Sequence, residues 1–357
     1  MREAPTTSRN AALTLGIDVG KSNLEVSLFG AHGGANGILA KTSVSNDPGG
    51  WDRLLSWLHD PDMMPEATPE ATPETTPETT PETTRVCMEA SGGYEEGVAR
   101  FLHAEDYEVS VVNPRRIKGY ADSQLQRSKT DSADANLIAR FGHREAPRRW
   151  TPPAAAASRL RELTRARQAL KKEKTRTNNR LADTEDEAIR DAYEDLLDTI
   201  EEKIDALEEE IAEQVNESLD LSTRCSLLTS IPGVALQTAA IVISELKSPD
   251  RFESARQVAA YAGLVPSHYQ SGSSVRGQPR MSKVGNARLR SAMYYPAMTA
   301  LRCNEAVKAF GNRLKERGKD QMVIIGAAMR KLLHICYGVL KSGRPFDPSL
   351  HPGTPNT

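Results

Sequence analysis

Residues 12–44 read ALTLGIDVGKSNLEVSLFGAHGGANGILAKTSV, and this stretch decides the fold of the first part of the chain. It holds three runs with strand character, ALTLGIDVG, NLEVSLFG and GILAKTSV, parted by Gly, Ser and Asn of the kind that make turns. They predict an antiparallel meander. Working outward, Trp51, Leu54, Leu55 and Leu58 recur at helical spacing. RVCMEA and YEVSVVN then read as two more short strands, each followed by a helical stretch.

The order is three strands, helix, strand, helix, strand, helix. It fits an RNase H-like α/β sheet, in which three antiparallel strands are extended by parallel ones through crossover helices. Between the first helix and the fourth strand, residues 66–84 repeat E-(A/T)-T-P with no large apolar side chain to bury. That composition predicts a disordered loop inserted in the domain.

At 357 residues the chain exceeds what one core fills. The expected organisation is α/β plus α: an RNase H-like (RuvC-like) domain over 1–150, a long helical coiled-coil spacer over 151–222, a mainly helical domain over 223–345, and a tail over 346–357. The spacer shows Ile189, Tyr193, Leu196, Ile200, Ile204, Leu207, Ile211 and Val215 at three- and four-residue steps. The high charge on its other faces predicts an exposed arm.

The net charge of −2 hides a strong segregation. Residues 144–180 carry 12 Lys/Arg and 3 Asp/Glu, residues 183–220 carry 2 and 17, and residues 271–344 carry 15 and 3. Two basic blocks flank an acidic one, which favours phosphate binding over a uniformly solvated surface. Cys87, Cys225, Cys303 and Cys336 lie far apart with no zinc spacing and read as reduced thiols. No run approaches the ~18 apolar residues of a membrane span, and the N-terminus lacks a signal-peptide core. A cytoplasmic protein without a membrane partner is expected. The seven histidines form no metal or triad grouping.

Four carboxylates stand out. Asp18 in GIDVGK and Glu89 in CMEASGGYE fall at predicted strand ends, where open α/β sheets collect ligands. Asp131 and Asp134 in KTDSADA are three apart at a predicted helix start, on one face. Together they could hold Mg2+, a hard cation suited to phosphodiester chemistry. Taken singly, each also serves as a turn, ion-pair or helix-start residue. Lys21 and Lys129 sit beside these motifs.

A second group lies in SHYQSGSSVRGQPRMSK, where serines share a glycine-containing loop with Arg276, Arg280 and Lys283. A serine hydroxyl becomes a nucleophile beside electropositive groups, and arginines stabilise the charge developing on phosphate. The plain alternative is a Ser/Gly linker. Upstream, TSIPGVA reads either as a helix start or as a turn whose Gly233 lets backbone N–H groups approach phosphate. Downstream, NARLRSAMYYPA sets Arg288 and Arg290 on a helix.

GIDVGK, MEASGGYE and KTDSADA, in this order, resemble the N-terminal motifs of the DEDD transposases of bacterial insertion sequences, the insertion sequence 110 family. TSIPGVALQTAA, YAGLVPS, SGSSVRGQPRMSKVGNARLR and RSAMYYPA are similar to that family's C-terminal domain, so the resemblance covers nearly the whole chain. It implies a metal site on Asp18, Glu89, Asp131 and Asp134 and a serine nucleophile, which matches Ser271, with Ser273 and Ser274 in the same loop. It further implies DNA ends and target as partners, a structured noncoding guide RNA pairing with them, and dimers or a tetramer joined by the helical arm. The expected activity is cutting and rejoining of DNA. The rivals are a metal nuclease or junction resolvase using only the carboxylates, a small-molecule kinase of the actin and sugar-kinase fold suggested by GIDVGKSNLEVSLF, and a non-enzymatic coiled-coil scaffold. The kinase reading lacks a second glycine-rich phosphate motif.

Overall fold

The computed structural model describes residues 13–30, 37–60, 79–124, 131–267, 270–271, 275–276 and 280–350, with the backbone alone at 131–133 and between 267 and 280. The chain divides into two compact units, residues 1–152 and 153–357.

The first unit is built on a five-stranded sheet. Its elements run β1 (Leu13–Val19), β2 (Asn23–Gly30), β3 (Ile38–Ser45), α1 (Pro48–Leu58), β4 (Thr84–Glu89), α2 (Glu95–Ala104), β5 (Glu108–Val112), α3 (Pro114–Ser123) and α4 (Asp131–Glu145). The spatial order is β3-β2-β1-β4-β5. β1 pairs antiparallel with β2 and parallel with β4, and β4 pairs parallel with β5.

Strand alternation divides the sheet's side chains between two layers. Leu13, Leu15, Ile17, Leu24, Val26, Leu28, Val86 and Met88 pack with Leu54, Leu58, Val98 and Leu102 of α1 and α2. On the other face Cys87 and Val112 pack with Ile117, Leu137, Ile138 and Phe141 of α3 and α4. Residues 66–78 of the repeat lie outside the described residues. A disordered loop is expected as far as 84, but within the described residues Thr79 is buried and donates to the Leu58 carbonyl, and Thr84 belongs to β4.

The second unit opens with a helical hairpin, α5 (Ala155–Ala182) and α6 (Glu187–Glu217). Leu197, Ile200, Ile204, Ile211 and Val215 are buried along α6, whereas Ile189 and Leu196 are 50% and 42% exposed. A single partner helix covers only a narrow seam, so the broader stripe in the sequence is left partly open.

Then follow α7 (Leu219–Thr229), α8 (Leu236–Leu246), α9 (Ala255–Tyr261), the two-residue strands β6 (Pro266–Ser267), β7 (Gln270–Ser271), β8 (Val275–Arg276) and β9 (Arg280–Met281), and helices α10 (Ala287–Ala292), α11 (Tyr294–Cys303), α12 (Glu305–Glu316) and α13 (Gln321–Ser342). Leu160, Ile211 and Val215 of the hairpin's base share one core with α7, α8 and α13.

One sequence expectation is corrected here. α13 is long and apolar enough to cross a membrane, with a mean hydropathy of 1.5. Its charged residues break any unbroken apolar run but not the average, and most of the helix is buried in the core of this unit.

Candidate nucleic-acid processing site

Strand register brings the first two carboxylates together. β1 and β4 run parallel with Gly16 opposite Cys87 and Ile17 opposite Met88, so the next step sets Asp18 level with Glu89 at adjacent carboxyl ends. Alternation puts both on the face that carries Gly16 and Cys87, the face covered by α4.

The helix comes this close because glycines face it. A Cβ on Gly16 would meet the Ala135 carbonyl oxygen and lie 2.6 Å from the Ala139 Cα, and one on Gly142 would lie 2.6 Å from the Cys87 Cβ. Ser27 Oγ, opposite Gly16 on β2, donates to Asn136 Oδ1 at 2.7 Å. Further along, Thr14 Oγ1 lies 3.4 Å from His143 Nδ1. α4 therefore runs antiparallel to β1, and its first turn, with Asp131 and Asp134, begins at the edge where Asp18 and Glu89 end.

All four carboxylate positions thus lie at one edge of one compact unit, with the positive end of the α4 dipole beside them. Among the described residues no three His, Cys, Asp or Glu side chains form a metal-holding group, and the Asp131 side chain lies outside those residues. The donor chemistry fits a hard cation, since every candidate ligand is a carboxylate.

The sequence reading missed three supporting residues. Glu25 stands opposite Asp18 in the β1–β2 register, on the same face, and accepts a hydrogen bond from Ser43 Oγ at 2.6 Å. Asn46 Nδ2 donates to the carbonyls of Gly20 (3.0 Å) and Tyr94 (3.2 Å), tying the turn after Asp18 to the loop after Glu89. Glu95 Oε2 accepts from the N–H groups of Ser91 (3.0 Å) and Gly93 (2.8 Å) in that loop. Glu25 was legible from the period-two alternation of NLEVSLF; Asn46 and Glu95 act through contacts with no local signal. Cys87 lies beneath the site, and burial pushes its thiol up to about 12, so it supplies no thiolate near neutral pH.

The serine segment belongs to the second unit. Ser271 pairs with Val275 and Gln270 with Arg276 in one ribbon, and Ser267 pairs with Arg280 in the other. The backbone thus sets two arginine positions across from the serine-bearing strands. Lys283 and Arg288 are exposed, as is Lys21 in the first unit, while Lys129 lies outside the described residues. Arg290 donates to the Ala262 carbonyl at 3.0 Å and so has a structural task. Gly233 has φ 99°, and a Cβ there would meet Ala300 of α11 at 3.0 Å, which by itself demands glycine. Tyr294 packs on the core and Tyr295 is 76% exposed.

Comparison with known proteins gives the family. Residues 15–188 match a DEDD transposase family of IS110-type elements, described as a transposase, and residues 225–312 match the transposase IS116/IS110/IS902 family. The pilin gene-inverting proteins of Moraxella lacunata and Moraxella bovis are each 34% identical over 267 residues, 74% of this chain and 82% of their own length. The chain belongs to the IS116/IS110/IS902 transposase family.

The transposase for insertion sequence element IS1328 of Yersinia enterocolitica is a more distant member of the set, 26% identical over 299 residues, 73% of this chain and 85% of that one. The protein is a DNA transposase of insertion-sequence type, and DNA is its substrate. The first matched segment begins inside β1 and contains all four carboxylates, and the second contains Ser271, Arg276 and Arg280, so the family match covers both candidate groups.

Proposed function

We propose that the transposase cuts and rejoins DNA through a composite site, with Asp18, Glu89, Asp131 and Asp134 of an RNase H-like (RuvC-like) domain and Ser271 of the second unit as nucleophile. The observation that carries this reading is the convergence of the two strand ends and the first turn of α4 at one sheet edge. The strand order β3-β2-β1-β4-β5, antiparallel then parallel, supports the RNase H-like assignment.

Asp18, Glu89, Asp131 and Asp134 would hold Mg2+, which supplies charge stabilisation at the phosphate under attack. The strand ends fix two carboxylates in register, and the α4 dipole favours ionised acids in its first turn. Ser271 Oγ forms the new bond to phosphorus while the bond to the departing strand end breaks, and the hydroxyl proton leaves with solvent or the departing oxygen. The phosphoserine link conserves bond energy, so strands rejoin when the freed hydroxyl attacks it. Arg276 and Arg280 orient the phosphate. Lys283, Arg288, Arg290, Lys21, Lys129 and the Gly233 turn are the further candidates for nucleic-acid contact.

Inverting a gene, for which the Moraxella relatives are named, requires that cut ends be rejoined, which favours a recombinase over a carboxylate-only nuclease. A noncoding RNA from the element would supply sequence choice by base pairing, the protein reading its shape and phosphates. The hairpin, a coiled coil in this reading, presents Ile189 and Leu196 for pairing with a second copy, building the dimers or tetramer that hold two DNA segments.

The test is a strand-transfer assay with magnesium, the element's flanking RNA and its DNA ends, comparing wild type with Ser271→Ala. A protein–DNA adduct that survives denaturation and disappears in the variant is expected. Metal-dependent cutting that persists in the variant without an adduct would leave a plain nuclease.

A further inference from the structure

Residues 262–285 contain Ser271, and the described ends of this segment are stitched together. Ser282 N–H donates to the Val265 carbonyl (2.9 Å), Lys283 N–H to Gly263 (3.2 Å) and Asn286 N–H to Tyr261 (2.6 Å), while Arg290 closes on Ala262. On the return stem Lys283 takes φ 56° and Gly285 φ 140°. A lysine in the left-handed region is held there by its surroundings rather than by its own preference.

The surroundings converge on Glu245, in the last turn of α8, whose side chain is 3% exposed. Its carboxylate accepts a guanidinium fork from Arg165 of α5, Nε at 2.8 Å and Nη2 at 3.1 Å. It also accepts from Asn286 Nδ2 at 2.7 Å. The Glu245 carbonyl accepts from the Tyr261 hydroxyl at 3.2 Å, and Asn286 Nδ2 lies 3.3 Å from that hydroxyl. Asn286 in turn caps α10 by accepting from Leu289 N–H at 3.0 Å.

The Glu245 carboxylate thus engages the base of the hairpin and the residue where the segment returns, while its backbone carbonyl engages Tyr261, where the segment leaves. Apolar side chains of similar volume would hold α5 against α8 equally well. They could not orient Asn286 and a guanidinium at once, since only a carboxylate offers enough acceptor sites for both.

We infer that Glu245 is a positioning residue of the transposase, fixing the return stem of the Ser271 segment to the base of the helical hairpin through Arg165 and Asn286, and with it the outgoing stem that Asn286 N–H binds at Tyr261. The inference rests on the reading of Ser271 as nucleophile. It makes the placement of the nucleophile follow the hairpin, the same element proposed to join protomers, so that pairing of two copies and presentation of the serine are mechanically linked.

The experiment uses the full-length protein with Glu245→Gln, Arg165→Lys and, as a control on the hairpin's exposed face, Arg159→Ala. Amide hydrogen exchange over residues 262–285 is measured together with adduct formation at saturating DNA and, separately, DNA affinity. In both clamp variants exchange in the segment should rise while the rest of the second unit keeps its protection, and the adduct rate should fall by about 10-fold to 100-fold, as a displacement near 1 Å does. DNA affinity should stay within about 2-fold, because the Glu245 carboxylate is buried and the polar atoms of Arg165 and Asn286 are turned to it. Arg159→Ala should match wild type in all three.

Unchanged exchange in both clamp variants overturns the inference, and so does faster exchange with an unchanged adduct rate. A loss of protection throughout the second unit in Arg165→Lys, whose charge is kept, reduces Glu245 to a stability residue and also overturns it. If the wild-type adduct maps to a residue other than Ser271, the nucleophile reading fails, while the exchange data alone still uphold or overturn the clamp.

Discussion

Two basic blocks that look alike in the sequence have different fates in the fold. The first, residues 144–180, contributes most of its charge to α5, and α6 laid against it is the acidic block. Arg159 pairs with Glu210 at 2.7 Å, Arg167 Nε donates to Glu208 at 2.7 Å, Lys171 lies 3.8 Å from Glu208, and Lys174 pairs with Glu201. Arg165 goes to Glu245. The second block, residues 271–344, meets no such complement: among the described residues its one ion pair is Lys341 with Asp250. Charge composition marks a candidate phosphate-binding surface only where the fold brings no opposing charge to it, so the second block, which contains the Ser271 segment, is the stronger candidate surface for nucleic acid.

Five changes, one of them a control, break or sharpen this contrast. The largest effect is expected at Leu160, which lies within the first block but in the core of the second unit. Leu160→Ala should lower unfolding free energy by about 2–5 kcal/mol in urea titrations, showing that the first block is held by burial. Next, Arg313, Arg317 and Lys319, all exposed, changed together to Gln should weaken DNA or RNA binding and flatten the slope of log K against log salt by about 0.9 for each phosphate contact removed. The same change at Arg159, Lys171 and Lys174 should leave the slope as in wild type; equal slopes in the two triple variants would erase the distinction between the blocks.

A smaller effect concerns pH. Burial pushes the Glu245 carboxyl up, but hydrogen bonds from Arg165 and Asn286 and the charges of Arg165 and Arg288 outweigh it, and its pKa ends below the ordinary value. A depressed carboxylate stabilises the fold above its unfolded pKa and loses that contribution as pH falls through the folded one. The stability margin of wild type over Glu245→Gln should therefore be constant near neutrality and shrink below about pH 4 in denaturation curves. The smallest effect belongs to Arg159→Ala, whose ion pair with Glu210 is largely exposed and should contribute about 0.2–1 kcal/mol, less at high salt.

Much of the first unit was legible in its sequence because its signals are local. Period-two runs and turn residues set out the meander, and the same alternation placed Asp18 and Glu89 at strand ends. KTDSADA marked a helix start, and α4 begins at Asp131. The stripe along α6 was legible, and within it Ile200, Ile204, Ile211 and Val215 are buried while Ile189 and Leu196 stay exposed, because a helix stripe does not say how much of itself its partner will cover. The apolar content of α13 escaped a search for unbroken runs, since three cationic or imidazole side chains, Arg330, Lys331 and His334, interrupt it.

By itself, then, the sequence determined the order of strands and helices and the long helical hairpin, and singled out the four carboxylates and the Ser271 segment as candidates, all of which rest on periodicity and short motifs. Only the tertiary structure decided that Gly16 and Gly142 admit α4 close enough to bring Asp131 and Asp134 to the strand ends, that Glu25 stands beside Asp18, that one basic block is neutralised and the other is not, and that Glu245 joins residues 80 positions before it and 41 after it. The reason is physical: hydrogen bonds, ion pairs and close backbone approaches between segments far apart in the chain depend on which faces meet, and no repeat within either segment records its partner.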